Sequence, residues 1–185
     1  MGECILVTGG ARSGKSRFAQ ELAVKSGKRV LFVATATAGD EEMQRRIEEH
    51  RKSRPAMWST LETTTHIGSQ IGQRIGRAKV VIVDCITLLL SNIFNQFNYE
   101  NEERIDEVRL EKAVVSEIDE LINCIDRIDA DFIIVTNEVG LGLVPMNKIG
   151  RLYRDLLGNA NRVLAERADK VYIMIAGLPV KIKPH

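Results

Sequence analysis

Gly9-Gly10-Ala11-Arg12-Ser13-Gly14-Lys15-Ser16 follows the apolar run Cys4-Ile5-Leu6-Val7-Thr8 and precedes an apolar-periodic segment that opens at Phe18. From Gly9 the spacing matches G-x-x-x-x-G-K-[ST], with a buried strand expected before it and a helix after it, so it reads as a phosphate-binding loop. Small residues let successive backbone N–H groups turn inward on phosphate oxygens, and the free N–H groups of the following helix add partial positive charge. Lys15 then supplies a point charge for the β- and γ-phosphates, and the Ser16 hydroxyl completes the shell of a Mg2+ ion. A glycine-rich turn that binds nothing is the plainer alternative. Turn chemistry alone, however, does not place Gly-Lys-Ser in register at a strand-to-helix junction.

Working outward, the totals narrow the partners. A chain of 185 residues is long enough for one domain with a sizeable core and too short for two ordinary ones, so a single domain over 1–185 is expected. Its 26 basic and 25 acidic side chains leave a net charge of +1, so no global field draws it to nucleic acid or a membrane. Cys4, Cys85 and Cys124 are odd in number, far apart and set among apolar neighbours. They suit small buried side chains in a reducing, cytoplasmic compartment better than disulfides or zinc. The sequence enters a strand almost at once, without a signal segment, and no apolar run approaches the ~20 residues that span a bilayer.

The rest of the chain alternates strand and helix patterns. Phe18, Ala19, Leu22 and Ala23 recur at helical spacing as far as Gly27, and Val30-Leu31-Phe32-Val33-Ala34 reads as a parallel strand covered on both faces. The small polar cluster that follows, beginning at Thr35, lies where such sheets bind ligands. Acid at Asp40-Glu41-Glu42 opens a weakly apolar helix expected to run to Ser53. Its exit, His50-Arg51-Lys52-Ser53-Arg54-Pro55, gathers an imidazole and three cations. Read alone, that cluster is a solvated basic helix end favoured by the helix dipole. Residues 57–62 are strand-like, Ile67, Ile71 and Ile75 mark a modest helix, and Val80-Val81-Ile82-Val83-Asp84 is a buried strand ending in a carboxylate. Next to a phosphate loop such an acid faces the Mg2+ shell across the sheet from Ser16, though an Asp at a strand end also serves as a helix cap.

A helical turn at Leu88 to Phe94 leads into a polar stretch, 95–103, that reads as a lid or a connector. Val114, Ile118, Leu121, Ile122 and Ile125 form an amphipathic helix, and 132–136 a strand. Asn137-Glu138-Val139-Gly140-Leu141-Gly142-Leu143-Val144-Pro145 is then either a binding loop at the same sheet edge or a plain surface connection. The longest periodic face runs from Ile149 to Leu164, with Arg151, Arg154 and Arg162 on its other side, open to solvent, a phosphate or a neighbouring subunit. Strand 171–175 and the alternating 180–183, expected as a half-exposed antiparallel edge, complete a mostly parallel α/β sheet with helices on both faces.

No Asn-Lys-x-Asp guanine motif and no Asp-x-x-Gly follow, which argues against a GTPase switch. Aromatics at 5% and balanced charge argue against a nucleic-acid motor. Taken together and in order, Thr8 through Ser16, His50-Arg51-Lys52-Ser53-Arg54-Pro55, Thr136-Asn137-Glu138-Val139-Gly140 and the ending 177–183 resemble the bifunctional adenosylcobinamide kinase/adenosylcobinamide-phosphate guanylyltransferases of bacterial cobalamin assembly. The likeness spans essentially the whole chain. The phosphate-loop portion is generic, whereas His-x-x-x-Arg-Pro at this distance from the loop is far more particular.

The resemblance implies a RecA-like P-loop NTPase fold, a homotrimer with corrinoid bound between subunits, and ATP and GTP used with Mg2+. It implies that His50 attacks the α-phosphate of GTP and carries GMP as a phosphoramidate, and that Lys15 serves the kinase step. Thr8, Gly9, Gly10, Ala11, Arg12, Ser13, Gly14, Lys15 and Ser16 would cradle phosphates. Thr35, Arg51, Lys52, Ser53, Arg54, Glu62 and Asp84 would complete the nucleotide contacts, and Ser16 and Asp84 the metal shell. A neutral imidazole is a competent nucleophile near neutral pH, and adjacent cations favour that form while stabilising phosphoryl charge. One member of that family carries Glu where this chain has Asp84, so the charge here is set back by one methylene. Two other readings fit the loop: a monofunctional P-loop kinase of another small hydroxylated substrate, in which His50 only positions nucleotide, and a non-catalytic nucleotide-sensing subunit.

Overall fold

The computed structural model describes residues 2–36, 44, 45, 48, 51, 52, 54–97 and 105–183. In chain order the elements are β1 (Cys4–Gly9), α1 (Lys15–Ser26), β2 (Val30–Ala34), β3 (Ser59–Glu62), α2 (Ile67–Arg74), β4 (Val80–Asp84), α3 (Ile86–Asn95), α4 (Glu107–Arg127), β5 (Asp131–Val135), α5 (Lys148–Arg167), β6 (Lys170–Ile175) and β7 (Leu178–Lys183). Runs of Val, Ile and Leu cannot face water on either side, and here they occupy the middle of one seven-stranded sheet ordered β3-β2-β4-β5-β1-β6-β7. All neighbours are parallel except β6 and β7, so the expected antiparallel edge is present.

Alternation along each strand divides the core. Leu6, Val33, Val83, Phe132 and Ile134 pack under α2, α3, α4 and α5 on one face. Val7, Phe32, Ile82, Ile133 and Val135 meet Ala19 and Ala23 of α1 on the other. Each such side chain, when fully buried, favours the folded state by about 1.5–3 kcal/mol, which is why the central strands tolerate so little polarity. The three cysteines are free and buried, as their apolar surroundings suggested. Burial pushes the Cys4 thiol up to about 12, and those of Cys85 and Cys124 to about 11.

Most elements fall where periodicity places them, with shifted ends. The strand expected over 57–62 starts at Ser59, because Trp58 is drawn into a turn by its N–H bond to the Pro55 carbonyl (3.0 Å). Helix α4 begins at Glu107, well before its first core valine, because the Asp106 side chain accepts from the Arg109 N–H at 3.0 Å and caps it. Of the helix expected over 40–53, and of the polar stretch 95–103, most residues lie outside those described.

One cap comes from another element altogether. Helix α2 starts at His66 without a side-chain cap of its own. Its N–H groups are met by α4: Glu117 accepts from His66 and Ile67, both at 2.8 Å, and Glu120 accepts from Ser69 at 2.6 Å. Glu117 is 5% exposed, a buried carboxylate whose charge is balanced by the dipole end of a helix.

Candidate active site

Parallel register brings the expected site residues to one line. Glu62 lies beside Ala34, Ala34 beside Asp84, Asp84 beside Val135, and Val135 beside Val7, the residue before Thr8. Strand ends that share a row share an edge, and the phosphate loop opens on it.

The loop owes its shape to glycine and to backbone that other residues seldom adopt. Gly9 has φ 142° and Gly14 φ 94°, with Arg12 also left-handed at 55°. A Cβ at Gly9 would stand 2.6 Å from the Met174 carbonyl oxygen, so β6 presses directly on the loop. No described side chain caps α1, which leaves its first-turn N–H groups available to an anion. Lys15 is buried and donates to the Gly10 carbonyl at 2.6 Å. Burial draws its ammonium below the ordinary lysine value, while Cys85 and Asp84 pull it back up. The Thr8 and Ser13 hydroxyls are buried with no hydrogen-bond partner among the described residues, an arrangement that phosphate oxygens would relieve.

Two strands away from β1, with β5 between, Asp84 ends β4 half-buried. Ser16, at the start of α1, is also half-buried. A hydroxyl and a carboxylate are hard oxygen donors, and so small a set fits Mg2+, which draws its remaining ligands from phosphate and water. Thr35 sits deeper. It is fully buried, and its hydroxyl both donates to the Cys85 carbonyl (2.7 Å) and accepts from the Cys85 N–H (2.8 Å). Asn92 of α3 bonds the Thr35 carbonyl at 2.8 Å. The side chain of Thr35 is thus occupied in holding the ends of β2 and β4 together rather than turned toward a ligand.

Beyond β2 a cleft of about 550 Å³ is lined by Arg51, Arg54, Trp58, Thr60 and Glu62 among others. Arg51 donates through Nε to Glu62 Oε1 at 2.9 Å and through Nη2 to the same oxygen. Both side chains are about half exposed, so the pair is weak and readily opened. Arg54 is different. Its guanidinium carbon stands 3.8 Å above the centre of the Phe32 ring, and Phe32 in turn stacks with Trp58 at 6.4 Å. Arg54 Nε and Nη1 are buried without a partner among the described residues. Burial lowers its pKa, against the pull of Asp84 and Glu62. A planar cation held flat with unspent donors suits an anion arriving in the cleft. Lys52 is exposed, and His50 and Ser53 lie outside the described residues.

Several contributors lie outside the phosphate loop and the arginine segment. Thr136, just past β5, donates to Asn161 Oδ1 (2.7 Å), and Asn161 Nδ2 donates to the Asn137 carbonyl (3.0 Å). The Asn137 N–H bonds Thr87 Oγ1 (2.9 Å), and Tyr153 donates to the Thr87 carbonyl (2.7 Å). The signal available in the sequence was a polar residue inside an apolar stripe, as Asn161 is between Leu157 and Leu164.

Known proteins align with this whole arrangement. A family model described as cobinamide kinase / cobinamide phosphate guanyltransferase matches residues 5–182. The chain is similar to the bifunctional adenosylcobalamin biosynthesis proteins CobU of Salmonella typhimurium, 41% identical over 97% of this chain and 99% of that protein, and of Escherichia coli, with the same values. The corresponding CobP of Pseudomonas aeruginosa is 40% identical over 96% of each chain. Among solved structures, the RadB recombinase superposes with a TM-score of 0.50 at 15% identity, covering 92% of this chain and 73% of that one, a likeness of fold that agrees with the RecA-like sheet. Since the family match takes in the phosphate loop, the row of strand-end acids and the arginine cleft alike, the chain belongs to the cobinamide kinase / cobinamide phosphate guanyltransferase family.

Proposed function

We infer that the chain performs both reactions of its family: phosphorylation of the aminopropanol hydroxyl of adenosylcobinamide by ATP or GTP, then transfer of GMP from GTP onto that phosphate to give adenosylcobinamide-GDP. One observation carries this reading. A complete phosphate loop and a separate arginine cleft, whose Arg54 donors have no partner among the described residues, open on the same sheet edge, so phosphoryl and nucleotidyl transfer each have a cationic seat.

In the first reaction Thr8 to Ser16 hold the triphosphate, with Lys15 neutralising charge as it moves toward the leaving diphosphate. Ser16 and Asp84 are the groups that would hold Mg2+, whose chemistry is charge neutralisation of the phosphates. In the second, an imidazole nitrogen of His50 bonds to the α-phosphorus, the bond to the β-phosphate oxygen breaks, and pyrophosphate leaves. A corrinoid phosphate oxygen then displaces the histidine. Arg51, Lys52, Ser53 and Arg54 bind the nucleotide, with Glu62 as an acceptor once Arg51 lets go of it.

Apolar exposure supports assembly into a homotrimer around the corrinoid. Of twelve large apolar side chains exposed among the described residues, eight lie in two segments, Leu141, Leu143, Val144 and Met146, and Ile175, Leu178, Val180 and Ile182. No described helix is long and apolar enough to cross a membrane, and the buried free thiols suit a cytoplasmic setting.

GTP labelled at the α-phosphate tests the reading. Label should remain on the protein in alkali, be lost in mild acid, and be absent in His50→Asn. That variant should still phosphorylate adenosylcobinamide, whereas Lys15→Ala should not. No covalent label in the wild-type protein would leave only a kinase, and equal loss of phosphorylation in both variants would contradict separate roles.

A further inference from the structure

Three carboxylates stand at the nucleotide edge among the described residues, and the reading above gives two of them other tasks. Glu62 lines the arginine cleft as an acceptor for nucleotide, and Asp84, two strands from the loop, is a group that would hold Mg2+. The third is Glu138, three residues past the end of β5, the strand next to β1.

Glu138 is tied to the phosphate loop and its side chain is held. Its backbone N–H donates to the Gly9 carbonyl at 3.0 Å, fixing it against the first glycine of the loop. Its Oε1 accepts from the Gly140 N–H at 2.9 Å, which leaves Oε2 for another partner. The chain on either side is also fixed. Asn161 holds the Asn137 carbonyl, Gly142 N–H bonds the Val139 carbonyl at 3.3 Å, and Arg151 bonds the carbonyls of Pro145 and Met146. Immediately beyond stand Leu143 and Met146, each 96% exposed. An anionic acceptor beside the phosphate loop, with an apolar rim next to it, is where a bulky amphipathic alcohol would bring its hydroxyl.

We propose that Glu138 is the general base of the kinase reaction. The acceptor hydroxyl oxygen bonds to the γ-phosphorus, the bond from that phosphorus to the β-phosphate oxygen breaks, the nucleoside diphosphate leaves, and the hydroxyl proton passes to Glu138 Oε2 and thence to water. The assignment rests on the kinase reading above and adds the residue that this reading lacked.

Glu138→Gln isolates the proton transfer, because a glutamine Oε1 accepts the same Gly140 N–H and leaves the loop's support in place. With adenosylcobinamide and ATP, kcat should fall by about 100-fold, the scale of general-base catalysis, with the KM for ATP little changed. Glu138→Asp should recover at least about a tenth of the lost rate. Labelling of the protein by GTP should persist in both variants, and their thermal midpoints should match the wild type. A loss under about tenfold in the glutamine variant, an aspartate no better than the glutamine, or an equal loss of labelling would each overturn the proposal. Failure of the wild-type protein to phosphorylate adenosylcobinamide would instead remove the kinase reading on which it depends.

Discussion

Arg54 shows how one residue can carry two kinds of information. Its place two residues after Lys52 and next to Pro55 marks it as part of a motif, but the motif says nothing of Phe32, more than twenty positions upstream, on which its guanidinium lies. Stacking on a ring is worth about 0.5–2 kcal/mol, and a charge-assisted hydrogen bond about 1.5–3 kcal/mol. Arg54→Lys keeps the charge and loses both the stack and the fork. Formation of the labelled protein from GTP should therefore slow by roughly 100-fold with the circular dichroism spectrum unchanged. A rate within about threefold of wild type would mean that Arg54 does not meet the transferring nucleotide. The roles proposed for His50 and Arg54 rest on resemblance, since a basic helix end has an ordinary solvated explanation. The platform beneath Arg54 was not legible at all, because contacts between distant strands and turns leave no periodic trace.

Elements were read more fully than their ends. The apolar runs of β1, β2, β4, β5 and β6 and the periodic faces of α1, α4 and α5 were plain in the sequence, because burial on one or both faces imposes their spacing. What escaped were the polar members of those faces. Glu117 stands three residues after Val114 and four before Leu121, squarely on the apolar stripe of α4, and its purpose appears only once α2 is seen to start against it. Removing that carboxylate leaves the buried Ile67 N–H and the part-buried His66 N–H unmet. Glu117→Ala should cost about 1–3 kcal/mol in chemical denaturation, and Glu117→Gln less, since its single carbonyl oxygen still accepts one bond. A change below about 0.5 kcal/mol would show that water replaces the cap at no loss.

At the scale of the molecule, the edge hairpin and the loop before α5 leave apolar surface that a lone chain in water would not be expected to keep. Sedimentation should give a mass three times 20.7 kDa, and Leu178→Lys combined with Val180→Lys should lower it. A wild-type monomer at micromolar concentration would rule out the trimer. The same hairpin has a second attachment. Its two-residue turn, Ala176-Gly177, has φ of 51° and 84°, as a type I′ turn requires, and the Gly177 N–H donates to the Ser13 carbonyl at 3.1 Å. The last strand pair in the sequence is therefore a buttress for the first loop. A polypeptide shortened after Ile175, or one whose final strand is pulled away by a fused partner, would release Ser13 and slacken the phosphate cradle while the central strands stayed folded. Damage at that end of the chain would register first as weakened hold on a triphosphate, well before any loss of secondary structure.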